Sequence, residues 1–298
     1  MLMQRLNAFD MTNITAVATD LDGTALAKDH KLAAETVNVF NLLVERGIKV
    51  ILATGRPYRD VIGIEENVKY SLPLVTSNGA MLNNAEPAKN SVTFLPEDIA
   101  RDACYNIPTE GLIFNVYTRN HWFVNEPNEE VARFFSDSHF DYNLLDLERL
   151  DFSKIVKLFF IDAECKVDPN SRSEKLNNLQ AFIKERYGDK VECVFSQINC
   201  LEINAAGVTK ANTISGYLSH FGYTNQENLI CFGDGMNDAH MLKSAKYGFV
   251  MGNADPKLKE FVKDLDNVTV VGQNTDLMVA RICNQLFNLG ADLDPYFE

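Results

Sequence analysis

Positive charge is in short supply in this chain of 298 residues: 28 lysines and arginines stand against 41 aspartates and glutamates, a net charge of −13. That balance argues against a protein that tracks nucleic-acid phosphates, where basic patches dominate affinity. It leaves room for a small phosphorylated ligand, which one lysine, a metal ion and a few backbone amides can hold. Long apolar runs are missing too. None approaches the roughly 20 residues needed to span a bilayer, and the most compact, Ile155 to Ile161, is strand-length and carries Lys157. The six cysteines form no C-x-x-C pair and the five histidines show no zinc spacing, so free thiols in a reducing compartment are expected. Met1 to Thr12 has neither an apolar h-region nor a small-residue cleavage site. A cytoplasmic protein with no membrane partner is the expectation.

Strand and helix signals alternate at both ends of the chain. Ile14–Thr19, Ile48–Ala53 and Leu74–Thr76 read as strands. Between them lie a helix over Ala33–Arg46, stopped by Gly47, and a second helix opened by Pro57. The rhythm returns after residue 200, with helices near 209–220, 237–244, 256–263 and 276–288 and strands at 229–232, 248–251 and 268–271. This predicts an α/β fold: a doubly wound, Rossmann-like parallel sheet with helices on both faces. Strand pairs such as Leu112–Tyr117 with Trp122–Val124 mix with helices near 97–105, 128–136 and 172–187, an inserted α+β domain. The expected division is 1–83 core, 84–199 insertion and 200–298 core. Trp122, the single tryptophan, reads better as core than as a lid residue.

Four polar clusters fall where such a sheet binds ligands, at the carboxyl ends of strands. The first, Asp20-Leu21-Asp22-Gly23-Thr24, puts two carboxylates on one face of a strand as it ends. Thr54-Gly55-Arg56-Pro57 ends the next strand and suits an anion at a helix N-terminus. Lys210 opens a helix, where its charge opposes the dipole at roughly 0.3–1 kcal/mol unless an anion offsets it. Gly233-Asp234-Gly235-Met236-Asn237-Asp238 adds two more carboxylates. Singly, each has a plain reading as turn, helix cap or solvated side chain. Together they do not: two carboxylates 4 Å apart repel by about 4 kcal/mol at an effective dielectric of 20. Asp20, Asp22, Asp234 and Asp238 converge at a profit only around a divalent cation, and an all-oxygen site suits Mg²⁺. A calcium loop fails on spacing, with Ala25 and Lys31 where glycine and glutamate belong.

In this order the four clusters resemble the motifs of the haloacid dehalogenase superfamily of phosphotransferases. Only 34 positions separate Asp20 from Thr54, whereas 156 separate Thr54 from Lys210. The second interval has room for the large cap of the Cof-like group, which resembles sugar-phosphate phosphatases. Thr54-Gly55-Arg56-Pro57, Ser77-Asn78-Gly79-Ala80 and Met251-Gly252-Asn253-Ala254 look like that group as well. The tail departs from it: the group's Asp-Gly-Val reads Asp276-Leu277-Met278-Val279 here.

The resemblance implies Asp20 as nucleophile and Asp22 as proton donor and then base. It implies Mg²⁺ held by Asp20, the Asp22 backbone carbonyl and Asp234, with Asp238 either a ligand or a support. The phosphoryl oxygens would be gripped by Thr54, Lys210, Asn237 and the amides near Leu21 and Gly55. Arg56 is open between substrate contact and a surface or capping role. The implied activity is Mg²⁺-dependent hydrolysis of a small phosphorylated metabolite, a sugar phosphate foremost, through an aspartyl-phosphate. A phosphosugar mutase and an aspartate-phosphorylated signalling domain are the alternatives. Oligomeric state is not legible.

Overall fold

The computed structural model describes residues 6–85, 90–127, 141–165 and 173–293. The helix expected near 128–136 lies outside them. The first unit runs β1 (Ala16–Thr19), α1 (Ala34–Glu45), β2 (Lys49–Ala53), α2 (Tyr58–Val61), β3 (Leu74–Thr76), β4 (Met81–Asn83) and β5 (Ser91–Val92). The middle runs α3 (Glu97–Asn106), β6 (Ile113–Thr118), β7 (Trp122–Val124), β8 (Tyr142–Leu144), β9 (Ile155–Ile161), α4 (Glu174–Tyr187), β10 (Val191–Gln197) and β11 (Cys200–Ala205). The chain closes with α5 (Lys210–Ser219), α6 (Asn225–Asn228), β12 (Leu229–Gly233), α7 (Ala239–Ser244), β13 (Tyr247–Val250), α8 (Pro256–Val262), β14 (Val268–Val270) and α9 (Met278–Phe287).

Two sheets result. The first has the order β14-β13-β12-β1-β2-β3-β4-β5, parallel from β14 to β3 with an antiparallel β4–β5 edge. Its strands alternate faces as extended chain must. Val17, Val50, Leu52 and Phe232 bury against α1 and α9, while Ala18, Ile51, Ala53 and Cys231 bury against α5 and α7. In α1 the buried stripe is Val39, Phe40 and Leu43, with Val37 and Val44 only partly covered. Gly47 stops the helix in the left-handed region at φ +80°.

The second sheet, β10-β11-β9-β6-β7-β8, is antiparallel apart from the β7–β8 pair. One face, with Phe114, Leu158, Phe160 and Leu201, packs on α3 and α4. The other gathers Ile113, Tyr117, Trp122 and Phe159. Trp122 is buried, and its indole N–H donates to Asn115 Oδ1 at 2.9 Å, which settles it as core. The expected break at 199 falls inside the β10–β11 hairpin, whose pairing carries this sheet to Ala205, and β5 carries the first sheet past residue 83. Hairpin hydrogen bonds, rather than a change in composition, decide which sheet a strand joins. None of the six cysteines forms a disulfide. No helix among the described residues is long and apolar enough to cross a membrane.

Candidate active site

The strand order reverses at β1, which lies between β2 and β12, and in an open α/β sheet ligands bind at that switch point. Thr19 is in register with Phe232 on one side and Leu52 on the other. The chain segments that follow, carrying Asp20, Asp234 and Thr54, therefore leave the sheet side by side. The Asp20 N–H donates to the Phe232 carbonyl (3.0 Å), fixing the first carboxylate to the neighbouring strand.

Beyond Asp20 the chain makes a wide turn, Leu21–Ala25, closed by the Leu26 N–H on the Leu21 carbonyl at 2.9 Å. Gly23 takes φ +72° in this turn, and a Cβ there would sit 2.2 Å from Asp234 Oδ2. Glycine is thus required twice, for its backbone angle and for the closeness of the second carboxylate. The turn is held from outside by Asn253, whose side-chain amide donates to the Gly23 carbonyl (2.8 Å), and by Asn274, which donates to Leu26 (3.0 Å).

One oxygen from each of Asp20, Asp234 and Asp238 lies within 4.8 Å of the others. Lys210, wholly buried at the start of α5, joins two of them: its Nζ donates to Asp20 Oδ1 at 2.6 Å and to Asp238 Oδ1 at 2.7 Å. Asp238 Oδ2 also accepts the N–H groups of Asp234 and Gly235, both at 3.0 Å. Asp234 Oδ1 accepts the Thr24 hydroxyl at 3.2 Å.

Burial pushes the Asp20 carboxyl up to about 7; Lys210 opposes this, while Asp238 and Asp22 add to it. Asp234 is raised well above the carboxylate range by desolvation, then by Asp20 and Asp238. Desolvation works against the Lys210 ammonium, but Asp20 and Asp238 outweigh it and lift it above an ordinary lysine. Asp20 rises because burial costs its carboxylate more than one ammonium returns, and Lys210 rises because two carboxylates return more than its burial costs. Three carboxylates against one ammonium leave an excess of negative charge that fits a hard divalent cation.

Thr54 is buried, with its hydroxyl oxygen accepting the Arg56 N–H at 3.1 Å. Asn237 donates to Asn78 Oδ1 (3.1 Å), and the Asn78 side-chain amide donates in turn to Glu202 and, at 3.3 Å, to Asn204. Asp22 is the one predicted carboxylate held apart from the cluster, its side chain engaged by Arg56. Gly79, at φ +107°, passes so close to the start of α5 that a Cβ would lie 2.4 Å from the Thr209 carbonyl. The Thr213 hydroxyl donates to the Gly79 carbonyl at 2.7 Å, so this loop buttresses the helix that presents Lys210.

Sequence reasoning passed over the residues by which the second sheet meets the first. Lys157 Nζ donates to the Gly55 carbonyl (2.8 Å) and pairs with Glu202 at 3.0 Å, both side chains buried. The available signal was a lone lysine inside the apolar run of β9. Leu277, where the resemblance calls for glycine, keeps a glycine-type backbone at φ +56°, ψ +36°. That costs about 1–2 kcal/mol for an L-residue, offset by packing of its side chain on the core. Between the sheets lies a cleft of about 760 Å³, with the carboxylates and Thr54 on one side and Ile113, Tyr117 and Phe159 on the other.

The sequence profile of the haloacid dehalogenase-like hydrolases matches residues 17–277. The chain belongs to that family, and it is an enzyme of the hydrolase class. It is 33% identical over 280 residues to a Serratia proteamaculans protein named HMP-PP phosphatase, spanning 94% of each chain. An Escherichia coli protein of the same name is 29% identical over 270 residues, 91% of each chain. Among solved structures, a haloacid dehalogenase-like hydrolase from Bacteroides thetaiotaomicron superposes with a TM-score of 0.73 at 22% identity, over 92% of this chain and all of that one. A sugar phosphatase of subclass IIB of the superfamily gives 0.73 at 20% identity, over 92% and 99%. These two share the fold.

Proposed function

We propose that this protein is a Mg²⁺-dependent phosphatase of a small phosphorylated metabolite, acting through an aspartyl-phosphate on Asp20. The observation that carries the reading is the meeting of Asp20, Asp234 and Asp238 with one buried lysine, where Asp20 and Asp234 line the cleft. Mg²⁺ would be held by Asp20, the Asp22 carbonyl and Asp234, and would supply charge neutralisation between nucleophile and phosphoryl group. Asp238, already bound to two amides and Lys210, fixes the Asp234 loop and the lysine.

The remaining steps belong to the protein. Lys210 holds one oxygen of Asp20 while the other attacks phosphorus, and the phosphorus–ester oxygen bond breaks in line. Asp22 gives its proton to the departing oxygen, then takes one from the water that hydrolyses the intermediate. Thr54, Asn237, Lys210 and the amides of Leu21 and Gly55 grip the transferring oxygens. The opposite wall, Ile113, Tyr117 and Phe159, meets the alcohol portion. The relatives' names support two substrate types for trial, HMP-PP and sugar phosphates.

The test is phosphate release over a panel of both types, with Mg²⁺ or with chelator, for the wild type and Asp20→Asn. Turnover that needs Mg²⁺ and falls at least about 1,000-fold in the variant is expected. Acid quenching during turnover of ³²P-labelled substrate should trap label on the wild-type protein alone. Isomerised sugar without released phosphate would make the enzyme a mutase, and an undiminished Asp20→Asn would remove the nucleophile.

A further inference from the structure

We infer that Arg56 is the positioning residue for the Asp22 carboxyl; the inference rests on the reading of Asp22 as acid and base given above. Arg56 Nε donates to Asp22 Oδ2 at 2.7 Å and Nη2 donates to Oδ1. A guanidinium that engages both oxygens fixes the plane of the carboxyl as well as its position, which a lysine cannot do. On its other edge, Nη1 meets Asp60 Oδ2 at 3.4 Å, and that aspartate side chain is only 1% exposed. Asp60 lies one helical turn on, in α2, so the rigid core holds Arg56 and Arg56 holds Asp22.

The brace is needed because of where Asp22 sits. Its side chain is 30% exposed at the edge of the cleft, on a turn that contains Gly23. Beside it, His30 Nδ1 lies 3.5 Å from Asp22 Oδ1 on a side chain 61% exposed. A solvated imidazole is a poor anchor. Unbraced, the Asp22 side chain would distribute over its staggered rotamers, and proton transfer needs heavy atoms about 2.6–3.2 Å apart.

Arg56 takes part in no bond change. In the first step the Asp20 oxygen–phosphorus bond forms and the phosphorus–ester oxygen bond breaks, leaving its electron pair on the ester oxygen, which receives the Asp22 proton. In the second, water bonds to phosphorus, the Asp20 oxygen–phosphorus bond breaks, and Asp22 recovers a proton from the water. Arg56 determines where that proton is held. The consequence is dependence on the leaving group: an alkoxide departs slowly without a proton, whereas p-nitrophenolate departs readily without one.

The experiment compares kcat/KM for p-nitrophenyl phosphate and for the best alkyl phosphate of the panel, with Mg²⁺ present throughout. For Arg56→Ala the alkyl substrate should lose about 100-fold, the lower end of general-acid contributions, and p-nitrophenyl phosphate about fivefold. Arg56→Lys should fall between wild type and Arg56→Ala on the alkyl substrate. Since Arg56→Ala removes one partner of the buried Asp60, the double variant Arg56→Ala/Asp60→Asn is measured beside it and should give the same ratio in a folded protein. Equal losses on both substrates, or none on either, would overturn the inference. The underlying reading is tested separately by Asp20→Asn, which should be inactive on both substrates.

Discussion

Asp234→Asn should leave the enzyme inactive yet more heat-stable when no metal is present. In the wild type, Asp234 shares a region no more than 4.8 Å across with two other carboxylates and one lysine. At that distance and an effective dielectric of 20, each carboxylate pair repels by about 3.5 kcal/mol. Protonation relieves most of this, in keeping with the upward shifts of Asp20 and Asp234. A residual gain of about 1–2 kcal/mol is expected from an amide of the same shape, and each kcal/mol moves the midpoint by roughly 2–4 °C for a large domain. The assay is a pair of melts, in chelator and in Mg²⁺. The wild type should gain about 2.7 kcal/mol from metal at one hundred times its Kd, and the variant almost nothing. A variant that melts lower than wild type in chelator, or that keeps the wild-type response to Mg²⁺, would refute the electrostatic account of the cluster.

Two further outcomes follow from the same geometry. Gly23→Ala should cost about 2–4 kcal/mol and weaken Mg²⁺ binding, since its Cβ would collide with Asp234 in a left-handed backbone; a melt and a metal titration unchanged from wild type would count against it. In chelator, stability should fall as pH rises from about 4 to 7. The Asp20 carboxyl, raised to about 7 in the folded state, keeps its proton across a window in which the unfolded chain has lost it. Millimolar Mg²⁺ should flatten or reverse that slope, because the cation needs the carboxylates ionised. A midpoint that holds steady or climbs over this range in chelator would contradict the shift.

The parallel sheet was legible because its strands are short apolar runs punctuated by Gly47, Pro57 and the Asp-Gly pairs, all local signals. The four clusters were legible for a related reason: strand ends of one parallel sheet lie at one edge, so residues far apart in sequence share a place once the strands are assigned. The partners of Asp22 and Asn78 were not. Arg56 reaches Asp22 across 34 positions and Glu202 reaches Asn78 across 124, and neither separation leaves a periodic trace. The β10–β11 hairpin carries no mark in composition either, because pairing alone binds Cys200–Ile203 to β9. Leu277 shows the opposite limit: the sequence marked the substitution, but only the backbone reveals that leucine took up glycine's geometry.

The described strands leave the first sheet once, after β5, and return to it once, after β11. A lineage could therefore replace this entire middle segment by recombination at two points and still inherit the hydrolytic machinery whole. The donor would have to satisfy a narrow entry condition, a cationic side chain able to meet the Gly55 carbonyl as Lys157 does. New contacts toward substrates would then arrive by exchanging a part, with Asp20, Thr54, Lys210 and Asp234 left in place.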